Sequence, residues 1–290
     1  MKTIVLYGKP VSEKIRLSLE QKILKLKNKD IIPKLSVILV GNDPASEVYV
    51  NMKHKTFIKY NCKSDIHKLS ENATKDELID LINKLNNDYK VHGILLQLPL
   101  PKHLSSQEII SFICPDKDVD GLHPMNVGKL FLGNPSFIPC TPYGCLKILD
   151  FYNIDISGKK VAIIGRSNIV GKPLLSLLSQ NFSWGNATVT LCHSRTKNLT
   201  KITKSSDLVI VAVGVPHLLK TDMVKEGVHI LDVGINRISD KSSKKGYRLV
   251  GDVDYKNLLD KAQSITPVPG GIGPLTITML LNNTVEAASK

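Results

Sequence analysis

The chain has 290 residues, 42% of them hydrophobic, and a formal net charge of +13. That length suits a sizeable core shared between two domains, and no apolar run is long enough to span a membrane. The charge favours an anionic partner, but no long basic run or basic-aromatic stripe accompanies it, so nucleic acid is not expected as a partner.

Residues 1–8 turn polar too quickly for a signal peptide, and an uncleaved, cytoplasmic chain is the expectation. Residues 35–40 read as a buried strand. The turn Gly41-Asn-Asp-Pro-Ala45 follows, with Asp43 as a helix N-cap and Pro44 at the first helical position. A helix starting there projects Tyr49 and Lys53 from one face, one turn apart. A ring beside an amine suits a flat substrate that needs a proton moved, provided the amine's pKa is lowered toward roughly 7–8. The same pair also fits an ordinary solvated helix face.

Residues 63–69 form a weaker strand candidate. Thr74-Lys-Asp-Glu77 is a capping box, and the apolar spacing of Leu78, Ile79, Leu81, Ile82 and Leu85 continues it as a helix. Residues 91–98 read as a second buried strand, closing on Gln97 and two prolines. Ligands bind at such strand ends in α/β sheets. Gln97 is placed to hydrogen-bond the Lys53 amine or a substrate amide, or simply closes a strand at the surface. Asp116-Lys-Asp-Val-Asp-Gly121 lacks the twelve-residue EF-hand pattern. One of its carboxylates suits paired hydrogen bonds to a ring nitrogen and its exocyclic amine; the alternative is an Asx turn.

Residues 114–142 carry five prolines and three glycines with little periodicity, which marks a boundary. A helix is expected over 143–152, then strands over 161–164, 188–192, 207–213, 228–233 and near Ile265, with helices between. That is the layout of a doubly wound nucleotide-binding domain. A last helix over 275–288 is expected to pack back on the first half. The five cysteines (Cys62, Cys114, Cys140, Cys145, Cys192) form no C-x-x-C pair and no zinc-ligand spacing, so reduced thiols and no metal are expected.

In the second half, residues 161–174 run from a strand through Gly165, Arg166 and Ser167 into a helix near Pro173, a place for a phosphate against a helix N-terminus. After the next strand, His193, Ser194 and Arg195 stand where an NAD site would place a carboxylate. With Arg166 nearby, that favours a 2′-phosphate and hence NADP. Thr266-Pro-Val-Pro-Gly-Gly-Ile-Gly-Pro274 packs three prolines and three glycines into a rigid loop, suited to a ligand wall.

Together, YVNMKHK (49–55), VHGILLQLPLP (91–101), DKDVDGL (116–122), IGRSNIVGKP (164–173), DVGIN (232–236), GDVD (251–254) and TPVPGGIGPLT (266–276) resemble one family in order and spacing. It is the bifunctional methylenetetrahydrofolate dehydrogenase/methenyltetrahydrofolate cyclohydrolase. The resemblance implies an N-terminal α/β substrate domain and a Rossmann-like, doubly wound parallel-sheet cofactor domain. The boundaries expected are 1–140, completed by the C-terminal helix 275–290, and 141–274. It implies NADP-dependent oxidation of methylenetetrahydrofolate and hydrolysis of the methenyl product to formyltetrahydrofolate, within one-carbon metabolism. A homodimer is implied, and tetrahydrofolate derivatives whose glutamate tails would draw on the positive charge.

Carried over by motif, Lys53 is the general acid/base, Tyr49 the ring against the folate, Gln97 the partner that tunes Lys53, and Asp120 the pterin anchor. Pro269, Gly270, Gly271, Ile272 and Gly273 would line the folate. Gly165, Arg166, Ser167, Ser194, Arg195 and Ile235 would hold the cofactor. The stretch around Tyr7 departs from the family pattern, where an acidic residue is expected. A dehydrogenase that has lost the cyclohydrolase step is the alternative, and retention of Lys53, Gln97 and Asp120 argues against it.

Overall fold

The computed structural model describes residues 2–240, 242–243 and 246–290. In chain order it begins with β1 (Ile4–Val5), α1 (Gly8–Lys27), β2 (Lys34–Val40), α2 (Pro44–Lys59), β3 (Lys63–Leu69), α3 (Lys75–Asn87) and β4 (Gly93–Leu96). Short helices α4 (Ser106–Ile110) and α5 (Pro124–Phe131) follow, then α6 (Cys140–Phe151), β5 (Lys160–Ile164), α7 (Gly171–Ser179) and β6 (Thr188–Cys192). The chain continues with α8 (Leu199–Lys204), β7 (Leu208–Val211), β8 (His229–Asp232), β9 (Asn236–Ser239), β10 (Tyr247–Val250), α9 (Tyr255–Leu258), β11 (Ser264–Ile265) and α10 (Gly273–Ala288).

The chain forms two compact units. One comprises residues 14–140 and 277–290. Its sheet has the order β3-β2-β4, all parallel, with Leu35 opposite Gly93 and Ser64 in register across β2. β2 is buried along almost its whole length, as expected of a central parallel strand covered on both faces. Ile38, Val40, Ile94 and Leu96 pack with Leu78, Ile82 and Leu85 of α3, the residues whose spacing marked that helix. The capping box at Thr74 is present in full.

The other unit comprises residues 1–13 and 141–276. Its six-stranded sheet has the order β1-β11-β8-β7-β5-β6, every pairing parallel. β5 sends the chain outward to β6 and then back past itself to β7, so the strand order reverses between β5 and β7. Val209, Val211, Ala162, Ile164 and Ile230 build the core on one face of this sheet.

The opening residues differ from the boundary expected. Ile4 and Val5 pair with Ser264 and Ile265, so residues 2–13 belong with the six-stranded sheet and not with the first unit. Leu6 N–H continues that ladder by donating to Ile265 O at 2.8 Å. The strand expected over 91–98 is shorter, Gly93–Leu96. Helix α1 and the antiparallel pair β9–β10 were not anticipated.

Candidate active site

Helix α2 starts as its sequence dictates. Asp43 Oδ2 accepts from Ser46 N–H at 2.8 Å, and Pro44 occupies the first turn. The buried residues of α2 are Ser46, Val50, Lys53 and Phe57, one stripe along the helix. Lys53 therefore occupies a core-facing position and is only 8% exposed. Tyr49, one turn earlier, is half-buried.

The amine that this stripe carries inward has a partner. Lys53 Nζ donates to Gln97 Oε1 at 2.9 Å. Gln97 lies just past β4, where its N–H still pairs with Ile38 O at 2.9 Å. Its own amide donates to Leu98 O at 2.8 Å, which fixes the carbonyl end toward Lys53. Burial pushes the Lys53 amine below its ordinary value, and the neighbouring Asp120 and Cys140 oppose that shift without reversing it.

Asp118 and Asp120 separate cleanly. Asp118 is buried, and its Oδ2 accepts from His123 N–H and Asn126 Nδ2, both at 2.8 Å. Burial raises its pKa, and those hydrogen bonds pull it back. It serves the turn. Val119 between them is fully buried. Gly121 then reverses the chain at φ +69°, and a Cβ there would lie 3.0 Å from Pro139 N. This leaves Asp120 half-buried and beside Lys53. Two residues not singled out by sequence support it. Asn283 of α10 donates to Val119 O and Ile138 O, both at 2.9 Å, and the Cys140 thiol, buried and raised well above its usual pKa, adjoins Asp120. Neither belongs to a recognisable local pattern; only the packing of α10 against residues 119 and 138 reveals them.

The expected cofactor residues lie in the other unit, gathered at the carboxyl ends of its strands. Gly165 closes β5 at φ +121°, where a Cβ would lie 2.2 Å from Ala212 O at the end of β7. Gly171 opens α7, and a Cβ there would lie 1.9 Å from Gly165 O. Only glycines let strand, turn and helix approach so closely. Ser167 Oγ accepts from Val170 N–H at 3.1 Å, which shapes the turn, while Arg166 and Ser167 themselves are exposed. Gly165 N–H donates to Cys192 O at 2.9 Å, so the β6 end adjoins this turn. There His193 N–H donates to Thr196 Oγ1 and Arg195 N–H to His193 Nδ1, a locked turn that presents Ser194 and Arg195 to solvent. Arg166, Ser194 and Arg195 thus share one rim with no carboxylate among them. These features fit a dinucleotide with a 2′-phosphate.

The proline- and glycine-rich loop belongs to this second unit too. Gly8 N–H donates to Gly270 O at 2.8 Å, and Gly271 N–H to Pro267 O at 2.8 Å. Ile235, 43% exposed, reaches this loop, its Cδ1 lying 3.8 Å from where a Cβ on Gly273 would stand. Among the described residues no cluster of His, Cys, Asp or Glu could hold a metal ion, and no helix is long and apolar enough to cross a membrane.

Residues 6–120 match the model of the tetrahydrofolate dehydrogenase/cyclohydrolase catalytic domain, and residues 139–290 that of the same family's NAD(P)-binding domain. The chain belongs to the tetrahydrofolate dehydrogenase/cyclohydrolase family. It is 51% identical over 288 residues to the bifunctional protein FolD of Acetivibrio thermocellus, covering 99% of this chain and 98% of that one. Its fold matches the crystal structure of the bifunctional methylenetetrahydrofolate dehydrogenase/cyclohydrolase of Campylobacter jejuni with a TM-score of 0.93, at 50% identity over 99% of both chains. The Trypanosoma brucei dehydrogenase-cyclohydrolase, solved with NADP and an inhibitor, matches with a TM-score of 0.94 at 36% identity, over 100% of this chain and 98% of that one. As a family member the chain is a bifunctional enzyme, with one α/β catalytic domain and one NAD(P)-binding domain.

Proposed function

We propose that this chain oxidises methylenetetrahydrofolate with NADP and then hydrolyses the methenyl product to formyltetrahydrofolate, with Lys53 as general acid/base of the second step. The observation that carries the reading is the buried Lys53 amine held 2.9 Å from Gln97 Oε1, beside Asp120.

In the first step a hydride leaves a carbon flanked by two nitrogens, whose lone pairs stabilise the resulting cation. That step asks the protein for position rather than for a strong acid or base. NADP supplies the hydride acceptor. Asp120 anchors the pterin by paired hydrogen bonds, Tyr49 packs on the folate's flat portion, and residues 269–273 line it. In the second step water adds to the cationic carbon and loses a proton, the bond to one ring nitrogen breaks as that nitrogen gains a proton, and the hydroxyl left on the carbon gives its own proton to solvent as it becomes the formyl carbonyl. A lysine with a lowered pKa can take the first proton and return it to the nitrogen. Gln97 supports this by accepting one N–H and leaving the amine's other sites aimed at substrate. Gly165, Arg166, Ser167, Ser194, Arg195 and Ile235 hold the cofactor, with the two arginines and Ser194 selecting the 2′-phosphate over a bare ribose. Five free cysteines without a disulfide support a cytosolic placement. The homodimer implied by the resemblance is part of the same reading, and sedimentation of the purified protein tests it.

Incubating the protein with methylenetetrahydrofolate and either cofactor decides the rest spectroscopically. The expected result is reduced cofactor with NADP well ahead of NAD, and no lasting methenyl product. Methenyl product that accumulates would leave a dehydrogenase alone, and a preference for NAD would make the turn at 193–196 a surface feature.

A further inference from the structure

Of two short motifs, residues 232–236 and 251–254, only Ile235 has a part in the chemistry above. In the structure they interlock. Asp232 ends β8; its Oδ1 accepts from Gly234 N–H at 3.1 Å and Asp252 N–H at 3.0 Å, and its Oδ2 from Val253 N–H at 3.0 Å. Asp252 answers from the other side. Its Oδ2 accepts from Val213 N–H at 2.7 Å and Gly214 N–H at 2.9 Å, and its Oδ1 from Asn236 Nδ2 at 2.8 Å. Both carboxylates are buried. Each also rests on the other motif's glycine. A Cβ on Gly251 would fall 1.7 Å from Asp232 Oδ2, and one on Gly234 would fall 2.2 Å from the Asp252 carboxyl. Burial pushes Asp232 up to about 7 even against its three backbone donors. The two carboxylates together accept from five backbone N–H groups that no apolar side chain could satisfy, so they fix the backbone on both sides of the contact.

What they hold is specific. Val213 and Gly214 lie in the turn that leaves β7, and Asn236 opens β9 directly after Ile235, the last residue of the turn that leaves β8. Arg166, Ser194 and Arg195 mark the ends of β5 and β6 as the place of the phosphorylated ribose. A dinucleotide lying across the reversal of strand order runs from there over β7 and β8. Its redox-active ring therefore arrives at the two turns that Asp252 ties together.

We propose that Asp232 and Asp252 are positioning residues for the nicotinamide end of the cofactor, setting the Gly214 and Ile235 turns as one rigid seat. This rests on the NADP reading above. Asp252→Ala releases three donors at once and lets the two turns separate. NADP affinity, read by calorimetry, is expected to fall about 10-fold or more, as for loss of hydrogen bonds to a charged group. Binding of 2′,5′-ADP, which lacks the nicotinamide half, should stay within about 2-fold of the parent, because its rim is untouched. Asp252→Asn should recover most of the NADP affinity, since its carbonyl can still accept both backbone N–H groups while Asn236 turns its own amide. Should Asp252→Ala fail to fold, Asn236→Ala cuts only the tie to the Ile235 turn and should show the same split at about 3-fold. Equal weakening of NADP and 2′,5′-ADP, or no weakening in the folded variants, overturns the proposal. Failure of the parent protein to bind NADP would instead overturn the reading on which it rests.

Discussion

In the proposed mechanism, the value of Lys53 to the enzyme and its burden on the fold have one origin. Burial lowers its pKa from the ordinary 10.5. Lys53→Met keeps the apolar stem and should cut cyclohydrolase turnover by about 100-fold or more, the scale of general acid–base catalysis. Dehydrogenase turnover should fall less, and equal loss of both would recast Lys53 as a positioning group. The same substitution has a pH signature in stability. Between the lowered folded pKa and 10.5 the unfolded chain binds more protons than the native one, so the lysine's contribution to stability rises with pH through that window. Melting curves of the variant should therefore compare most favourably with the parent below the window and lose ground as pH approaches 10.5. A difference independent of pH would mean the amine stays charged at no penalty.

The aspartates two residues apart offer a second contrast at this scale. Asp120→Ala should weaken folate binding by roughly 1.5–3 kcal/mol while leaving the melting temperature nearly unchanged. Asp118→Ala leaves the His123 N–H and one of the two Asn126 amide hydrogens without their acceptor, and should lower stability by about as much. Calorimetry and thermal melts on the two variants would reverse the assignment if the effects were exchanged. The sequence left a ligand-binding carboxylate and an Asx turn as alternatives for this stretch; in the structure Asp118 is buried in the turn and Asp120 is half-buried beside Lys53.

Helix α3 is held at both ends by side chains. Its start has the Thr74 capping box, and at its other end Lys117 Nζ donates to Leu85 O, Asn86 O and Asp88 O. Thr74→Ala should cost about 1 kcal/mol. Lys117→Met should cost more, about 2 kcal/mol, because three carbonyls lose a charged donor together. Denaturant midpoints would check the order, and cyclohydrolase activity per folded molecule should stay at the parent level in both. The start of α3 was legible in sequence because its partners are three residues apart; the end was not, because Lys117 arrives from a distant loop. The same distinction explains α1. Its buried Leu19, Ile23 and Leu26 share the helix with Leu17 and Leu24, which are 64% and 60% exposed, so no clean apolar stripe appears. The β9–β10 pair is short, has alternating exposure, and is joined by a run of lysines and serines without a tight-turn dipeptide. By contrast β2, β5, β7 and β8 are continuous buried runs, which parallel sheets require and which stand out in any sequence. Lys53, Gln97 and Asp120 were recognisable only in combination, since each alone fits a surface.

At the scale of the whole molecule, a charge of +13 accompanies a substrate class that carries carboxylates. If part of that charge recruits the glutamate tail, KM for a polyglutamylated folate should rise steeply with salt, and KM for the monoglutamate only slightly. Parallel salt series with the two substrates would separate this from a lysine-rich surface that serves solubility alone.

The pairing of β1 with β11 has a consequence for how the protein is made. Ile4 leaves the ribosome some 260 residues before its partner Ser264. Residues 14–140 likewise lack the 277–290 segment until it emerges. Neither unit is complete in a chain still growing at residue 260, so both should acquire protease resistance only after residues 264–290 have emerged. The long sequence separation also makes closure of the outer strand a late event. Pulse proteolysis of stalled nascent chains should show one abrupt gain of resistance once residues 264–290 have emerged, and an early resistant fragment covering residues 14–140 would contradict it.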